Sequence, residues 1–528
     1  MIRPHRSLIG LFALAIAATG AFAPGSAALA QLQPQTRTQA VNPPPPSPQP
    51  VAKDDVVRES VVKIYATMRN PNPIQPWQKQ TPQEATGTGV VIEGKRILTN
   101  AHVVSYATQV MVEPNGSSEK LSATVEFIAP GIDLAVLKME DEAFFDKRPP
   151  LPRAETLPEI KEAVTVYGYP TGGTSLSITK GIVSRIEFTN YSANTLGLRI
   201  QIDAAVNPGN SGGPALVDDK MIGLVNSGIR GADNIGYIIP SEEVDLFLKD
   251  VGDGQYDGKP MIRDQLQSLE NDALRAKLGF SKKSVGFVVH EPDSQDPGYP
   301  LKKWDVITKL GDREVDNVFM TKVRDNLRLR FEYLLQSLVR DGKLPVTLIR
   351  DGKEMTVELP MSPKPDELIR PLRGRYPSYF IYGPLVFSPA SVEFLAALDR
   401  IAGLQTGLAT IGSPLAARRG DKAAFPGEEL VVISSPMFPH RLGKGYSSPL
   451  AKVVKEVNGI KVKNLRNLVE ILRDAKDKYV TITFDDRASE TLVFDRLETL
   501  KATDDILSDN SVRQQASDDI APVWTKKE

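Results

Sequence analysis

The sequence predicts a mainly β protein in three units: an all-β barrel or sandwich over 53–254, then two α+β units over 255–365 and 370–500. Three observations carry this. From Val56 to about Val251, short Val- and Ile-rich runs are punctuated by glycine and proline, with no long helical period between them. Beyond that point two stretches repeat one order: a strand, a strand–turn–strand, one helix, then β-runs, with turns centred on Gly311 and Gly459. The chain of 528 residues is long enough for three domains that each bury a core.

Taken in order, the first unit holds β-runs at Val61–Thr67, Gly89–Ile92, Arg96–Thr99, Gln109–Glu113 and Leu134–Lys138. Further runs follow at Ala163–Tyr167, Gly181–Ile186, Leu198–Ile202, Ala215–Val217 and Met221–Ser227. Ser241–Lys249 reads as a helix with Ser241 as N-cap and Glu242 and Glu243 in its first turn. In the second unit the strands are Gly286–His290, Val306–Leu310, Val346–Arg350 and Met355–Leu359, and Val323–Val339 reads as an amphipathic helix. Arg350-Asp351-Gly352-Lys353 is a hairpin turn. The third unit has strands at Leu430–Ser434, Val453–Val457 and Tyr479–Phe484 and a helix at Leu465–Ala475. The polar composition of 501–528 predicts disorder.

Composition removes whole classes of chemistry. There is no cysteine, so disulfides, thiolate metal sites and cysteine nucleophiles are excluded, and four scattered histidines (His5, His102, His290, His440) do not make a metal site. No cofactor is called for. A net charge of −1 offers nucleic acid no electrostatic footprint. At the N-terminus Arg3 and Arg6 precede an apolar run from Leu8 to Ala23, and Ala28-Leu29-Ala30 forms a small-x-small site before Gln31. That pattern is a cleaved secretory signal over 1–30, with export to a bacterial periplasm; the run is too short for a stable membrane span. Residues 31–52 hold seven prolines, four of them consecutive, and read as an extended tether.

The chemistry concentrates in Asn207-Pro208-Gly209-Asn210-Ser211-Gly212-Gly213-Pro214. Glycines let backbone N–H groups crowd around one exposed hydroxyl, as an oxyanion hole beside a serine nucleophile requires. His102 stands where the apolar run Leu98–Thr99 ends, and Asp133 at the mouth of Leu134–Leu137. In these roles Ser211 attacks a carbonyl, His102 shuttles the proton, and Asp133 orients the imidazole. Gly209-Asn210-Ser211 forms the oxyanion hole, its donors the N–H groups of Gly209 and Ser211. Gly209-Asn210-Ser211-Gly212-Gly213 also fits the G-x-S-x-G elbow of α/β-hydrolases, but that elbow needs a helix after the serine and a downstream acid and histidine. Here Pro214 leads into another β-run, and His290 and His440 lie in other units.

Thr99-Asn100-Ala101-His102-Val103-Val104, Asp133-Leu134-Ala135-Val136-Leu137 and Gly209-Asn210-Ser211-Gly212-Gly213-Pro214 resemble the three signatures of the HtrA/Deg serine proteases. Tyr167-Gly168-Tyr169-Pro170, Asn234-Ile235-Gly236-Tyr237 and Val462–Val469 resemble its plant-type Deg branch. The resemblance implies a trypsin-like double β-barrel followed by two PDZ domains. It also implies ATP-independent endoproteolysis of unfolded or damaged proteins, in trimer-based homo-oligomers. A protease-derived chaperone, or a regulatory protease with one dedicated substrate, is the alternative.

Six residues before the nucleophile, where trypsin-like enzymes specific for Lys or Arg carry an aspartate, this chain has Ala205. A pocket lined by Ala205, Val206, Asn207, Asn226, Ser227 and Gly228 is apolar enough to favour Val, Ala, Ile or Leu before the scissile bond. Lys277-Leu278-Gly279-Phe280 resembles a PDZ carboxylate loop, with Leu278, Gly279 and Phe280 receiving a peptide C-terminus; the competing reading is a glycine that closes a helix. Trp304 and the insertion Thr321–Arg340 depart from the common PDZ pattern. In the third unit Tyr382–Phe387 is the equivalent loop, although Pro384 removes a donor. The segment Phe188–Leu196 matches the loop that senses PDZ occupancy in this family.

Overall fold

The computed structural model describes residues 53–171, 173–192, 195–226, 235–362 and 367–526, all within one compact unit. The signal-like segment, the proline-rich tether, Ser227 and Gly228 lie outside these residues.

The first unit is two closed six-stranded barrels. In the first, β1 (Val61–Met68), β2 (Gln83–Ile92), β3 (Arg96–Thr99), β4 (Ala107–Pro114), β5 (Leu121–Ala129) and β6 (Leu134–Met139) pair in the order β1-β2-β3-β6-β5-β4, and β4 closes on β1. In the second, β7 (Ala163–Gly168), β8 (Ser177–Ser192), β9 (Thr195–Ile202), β10 (Pro214–Val217), β11 (Lys220–Asn226) and β12 (Gly236–Pro240) pair as β10-β11-β12-β9-β8-β7. The two-residue period of β1 explains its packing. Val62, Ile64 and Ala66 fill the first barrel, while Val61 points the other way into a cluster shared with Tyr167, Leu216 and Leu224 of the second barrel. Each such buried aliphatic side chain contributes about 1.5–3 kcal/mol.

β5 and β12 have no counterpart among the predicted runs. β5 alternates apolar and polar residues from Leu121 to Phe127, a two-residue period without the continuous Val and Ile run of its neighbours, and β12 is five residues, all buried, closed between glycine and proline. The helix Ser241–Asp250 forms as expected, but Ser241 is its first residue and not its cap. Its Oγ donates to the Met221 carbonyl at 2.5 Å instead.

The second unit is a sheet in the order Gln265–Ser268, Phe287–Glu291, Val306–Leu310, Lys343–Arg350, Lys353–Pro360. Asp351 and Gly352 both take positive φ (50° and 74°), the type I′ geometry of a two-residue hairpin. The expected helix over Val323–Val339 is corrected. Met320–Arg324 and Leu327–Arg330 form a hairpin, and only Leu335–Leu338 is α-helical. The period is two, not 3.6: Leu327 and Leu329 face one side and enter the core of the second barrel beside Val183, Ile186 and Phe188. Arg324 secures the hairpin tip by donating to the carbonyls of Leu157 (3.2 Å) and Pro158 (2.6 Å).

The third unit joins a three-stranded and a four-stranded sheet around Leu465–Asp474, whose Leu465, Leu468, Val469 and Leu472 are buried. The disorder expected over 501–528 is also corrected. Arg496–Asp509 is a helix, capped by the Asp495 side chain on the Glu498 N–H, and it buries Thr499, Ala502, Thr503, Ile506 and Leu507. That stripe has helical spacing, but small and hydroxylated residues make up much of it, so composition hides it. Ala521–Thr525 then sets Trp524 against Phe380 at 4.9 Å. The loop between β1 and β2 reaches this unit, where Trp77 lies 5.2 Å from Phe438.

Candidate active site

His102 sits on a single helical turn, Ala101–Val104, that follows β3. Ala101, Val103 and Val104 are buried, so the turn is anchored by its apolar neighbours and the imidazole, 46% exposed, is directed outward. Asp133 holds it twice. Oδ1 accepts the His102 backbone N–H at 2.8 Å, and Oδ2 lies 2.7 Å from Nδ1. An ionised carboxylate only accepts, so Nδ1 carries the proton and Nε2 is left as the basic nitrogen. Asp133 occupies a left-handed φ of 57°, unusual outside glycine, and Asn100 Nδ2 supports it by donating to the Asp133 carbonyl at 3.0 Å.

The nucleophile loop is built from its glycines. Asn210 N–H donates to the Asn207 carbonyl at 3.0 Å across Pro208-Gly209, and Gly209 has φ 98°, which is a type II turn. A side chain at Gly209 would collide with the Tyr169 carbonyl, one at Gly212 with the Thr88 carbonyl, and one at Gly213 with the Tyr167 carbonyl. The Pro208 carbonyl accepts from Thr171 N–H at 2.7 Å. In a planar trans peptide the N–H opposes the C=O, so the Gly209 N–H points away from Thr171. Asn210, between the two expected donors, contributes no N–H to an oxyanion, because its own is spent inside the turn.

Thr88, which sequence reasoning passed over, ties the two halves of the cleft together. Its N–H donates to the Ser211 carbonyl at 2.8 Å and its Oγ1 to the Gly209 carbonyl at 2.8 Å, while the same Oγ1 accepts from Tyr169 N–H. Thr99, three residues before His102, donates to the Thr88 carbonyl at 2.7 Å. One buried threonine of the first barrel thus stands between the histidine strand and the serine loop. The only sequence trace is the alternation Thr86-Gly87-Thr88-Gly89, where glycines leave room for the partners.

At the specificity side, Ala205 and Asn207 are exposed, Val206 and Asn226 are half-buried, and Thr179 Oγ1 donates to the Ala205 carbonyl at 3.1 Å. Gly236 is an addition: a Cβ there would sit 2.7 Å from Val206 Cγ2, so the missing side chain lets Val206 pack directly against the backbone of that strand.

The carboxylate loop expected at Leu278, Gly279 and Phe280 is corrected. These three N–H groups close the helix Asp272–Lys277, donating to the carbonyls of Leu274 and Arg275, Ala276, and Arg275 respectively, with Gly279 at φ 77°. Leu278 and Phe280 pack with Trp304 over a small core. Tyr382–Phe387 is likewise a buried hairpin, and Gly383 N–H donates to Thr503 Oγ1 of the C-terminal helix.

Among the described residues no cluster of His, Asp and Glu is arranged for a metal ion, and no helix is long and apolar enough to cross a membrane.

The family model of the trypsin-like peptidase domain matches residues 87–224, and that of a PDZ domain matches 371–519. Protease Do-like 4, mitochondrial, of Arabidopsis thaliana is 35% identical over 421 residues, covering 79% of this chain and 77% of that protein. Protease Do-like 2, chloroplastic, of the same plant is 35% identical over 469 residues, covering 87% and 75%. A solved HtrA-type protease AlgW with a tripeptide aligns at 22% identity and TM-score 0.46, over 59% of this chain and 97% of that one. A trypsin-like double barrel in one chain with a PDZ domain, and relatives at this identity and coverage, place the chain in the Do-like (HtrA/Deg) family of serine endopeptidases.

Proposed function

We propose that this protease is an ATP-independent endopeptidase of protein quality control that cuts unfolded chains after small aliphatic residues, with Ser211, His102 and Asp133 as its triad. Ser211 Oγ attacks the scissile carbonyl and gives its proton to His102 Nε2. The resulting oxyanion accepts from the Gly209 and Ser211 N–H groups. His102 then returns the proton to the leaving amine, and the acyl ester on Ser211 is hydrolysed by water in the same two steps. The observation that carries this reading is the double grip of Asp133 on His102, at 2.8 and 2.7 Å, which fixes both the ring and its tautomer.

Ala205, where an aspartate would select Lys or Arg, and the apolar Val206 packed on Gly236 favour a small apolar residue before the cut. A peptide would enter the second unit by adding a strand at Gln265–Ser268, one of the two edges of its sheet. Phe188, 6.2 Å from Tyr333 of the second unit, supports Phe188–Leu196 as the segment that couples peptide occupancy to cleavage. The family resemblance supports a trimer-based assembly. The N-terminal charge, apolar run and Ala-Leu-Ala site support export; the plant relatives carry mitochondrial and chloroplastic names, and N-terminal sequencing of the mature chain separates a cleaved signal from an organelle address.

The test incubates an unfolded protein with the wild type and with Ser211→Ala, and maps the cut sites by mass spectrometry. Cuts after Val, Ala, Ile or Leu in the wild type alone are expected. Cuts after Arg or Lys would overturn the pocket assignment, and cuts that persist with Ser211→Ala would overturn the triad.

A further inference from the structure

Lys63 lies mid-strand in β1, 7% exposed, on the face where its neighbour Val61 joins the apolar contact between the barrels. A buried ammonium costs several kcal/mol unless it is hydrogen-bonded and paired. Its Nζ donates to the carbonyl of Gly173 at 2.8 Å and stands 5.0 Å from the Tyr65 ring centroid. Among the described residues no carboxylate forms an ion pair with it. A cation held in a barrel interface by one carbonyl of the other barrel calls for a reason beyond packing.

Gly173 belongs to the loop that sets the oxyanion hole. Its N–H donates back to the Pro170 carbonyl at 2.9 Å, closing a turn, and within that turn Thr171 N–H holds the Pro208 carbonyl at 2.7 Å. The same carbonyl fixes, through the plane of its peptide, the direction of the Gly209 N–H. Lys63 Nζ, the Gly173 carbonyl, Thr171 N–H and the Pro208 carbonyl therefore form one relay from the first barrel to the oxyanion donor.

We infer that Lys63 is a positioning residue for catalysis: from β1 it holds Gly173, and with it Pro170 and Thr171, so that the Pro208–Gly209 peptide presents its N–H to the oxyanion. This rests on the assignment of Ser211 and Gly209 given above. Without the Lys63 contact the turn loses one of its anchors, and the Pro208–Gly209 peptide can rotate its carbonyl toward the cleft. Full loss of one oxyanion donor costs about 100- to 1,000-fold; mispositioning it part of the time costs less.

The test compares Lys63→Met, which keeps the stem and removes the donor, with Lys63→Arg, which restores one. Both are assayed in the full chain on a short peptide p-nitroanilide ending in valine, with active sites counted by burst titration. Lys63→Met is expected to lower kcat by roughly 10- to 100-fold, with KM within about threefold and with an equal loss of affinity for a peptidyl boronate that forms a tetrahedral adduct. Lys63→Arg recovers most of both. A folded Lys63→Met enzyme whose kcat and boronate affinity stay within twofold of wild type overturns the inference, as does a loss confined to KM. If Lys63→Met fails to fold, Thr171→Pro, which removes the N–H at the other end of the relay, decides the matter on the same kcat and boronate readings: a loss like that expected of Lys63→Met supports the relay, and wild-type values overturn it. Activity that survives Ser211→Ala would instead overturn the triad itself, so the two failures are distinguishable.

Discussion

The two barrels close six strands by the same scheme, with the first and last strands of each path paired, yet they serve the cleft by different means. The first delivers side chains. His102 and Asp133 stand just past and just before strands, where the ladder ends and a side chain is free to leave the core. In the proposed mechanism the second delivers backbone: the N–H groups of Gly209 and Ser211 are assigned to the oxyanion, on a turn that requires glycine at φ 98°. Side chains tolerate small shifts of their strand because rotamers absorb them. A backbone donor has no rotamer, so its aim must be set by neighbours, and here the neighbours are Thr171, Thr88 and Lys63.

The side-chain half breaks hardest. Asp133→Asn turns an acceptor toward His102 Nδ1 into an amide, which reverses the tautomer that the carboxylate enforces. We expect kcat on a peptide substrate to fall about 10,000-fold with little change in KM; a loss under tenfold would mean that Asp133 does not orient His102. The backbone half breaks next. Gly209→Ala places a Cβ at φ 98°, 2.5 Å from Thr171 N, so the Pro208–Gly209 peptide must turn. The expected loss in kcat is about 100- to 1,000-fold, while the His102–Asp133 contact, seen by proton NMR of the Nδ1–H, stays intact. If that proton signal disappears as well, the two halves are not separable in the way described.

Legibility follows the same division. The pairing of His102 with Asp133 is readable because each stands in a short motif beside a strand, and Arg96–Thr99 and Val306–Leu310 form with the expected bounds. What fails is what depends on a partner. In the stretch from Met320, Leu327 and Leu329 alternate toward the second barrel and make a hairpin of an expected helix. Leu278-Gly279-Phe280 has the composition of a carboxylate loop, but its N–H groups are consumed by the helix they close. The tail from residue 501 reads as too polar to pack, and it packs because a hydroxyl turns inward: Thr503 Oγ1 donates to the Thr499 carbonyl and accepts from Gly383 N–H. Thr88 leaves no more than the Thr-Gly alternation around it and Lys63 no local signal, since their roles exist only across the barrel interface.

The central claim is that one hydroxyl, Ser211, is activated by His102 within this cleft. The most direct measurement treats the full chain with a fluorophosphonate and locates the adduct by mass spectrometry. The account predicts a single adduct on Ser211 that forms at least about 1,000-fold more slowly with His102→Ala, in line with loss of a triad member. An adduct on another serine, or labelling of Ser211 that is indifferent to His102, would contradict it.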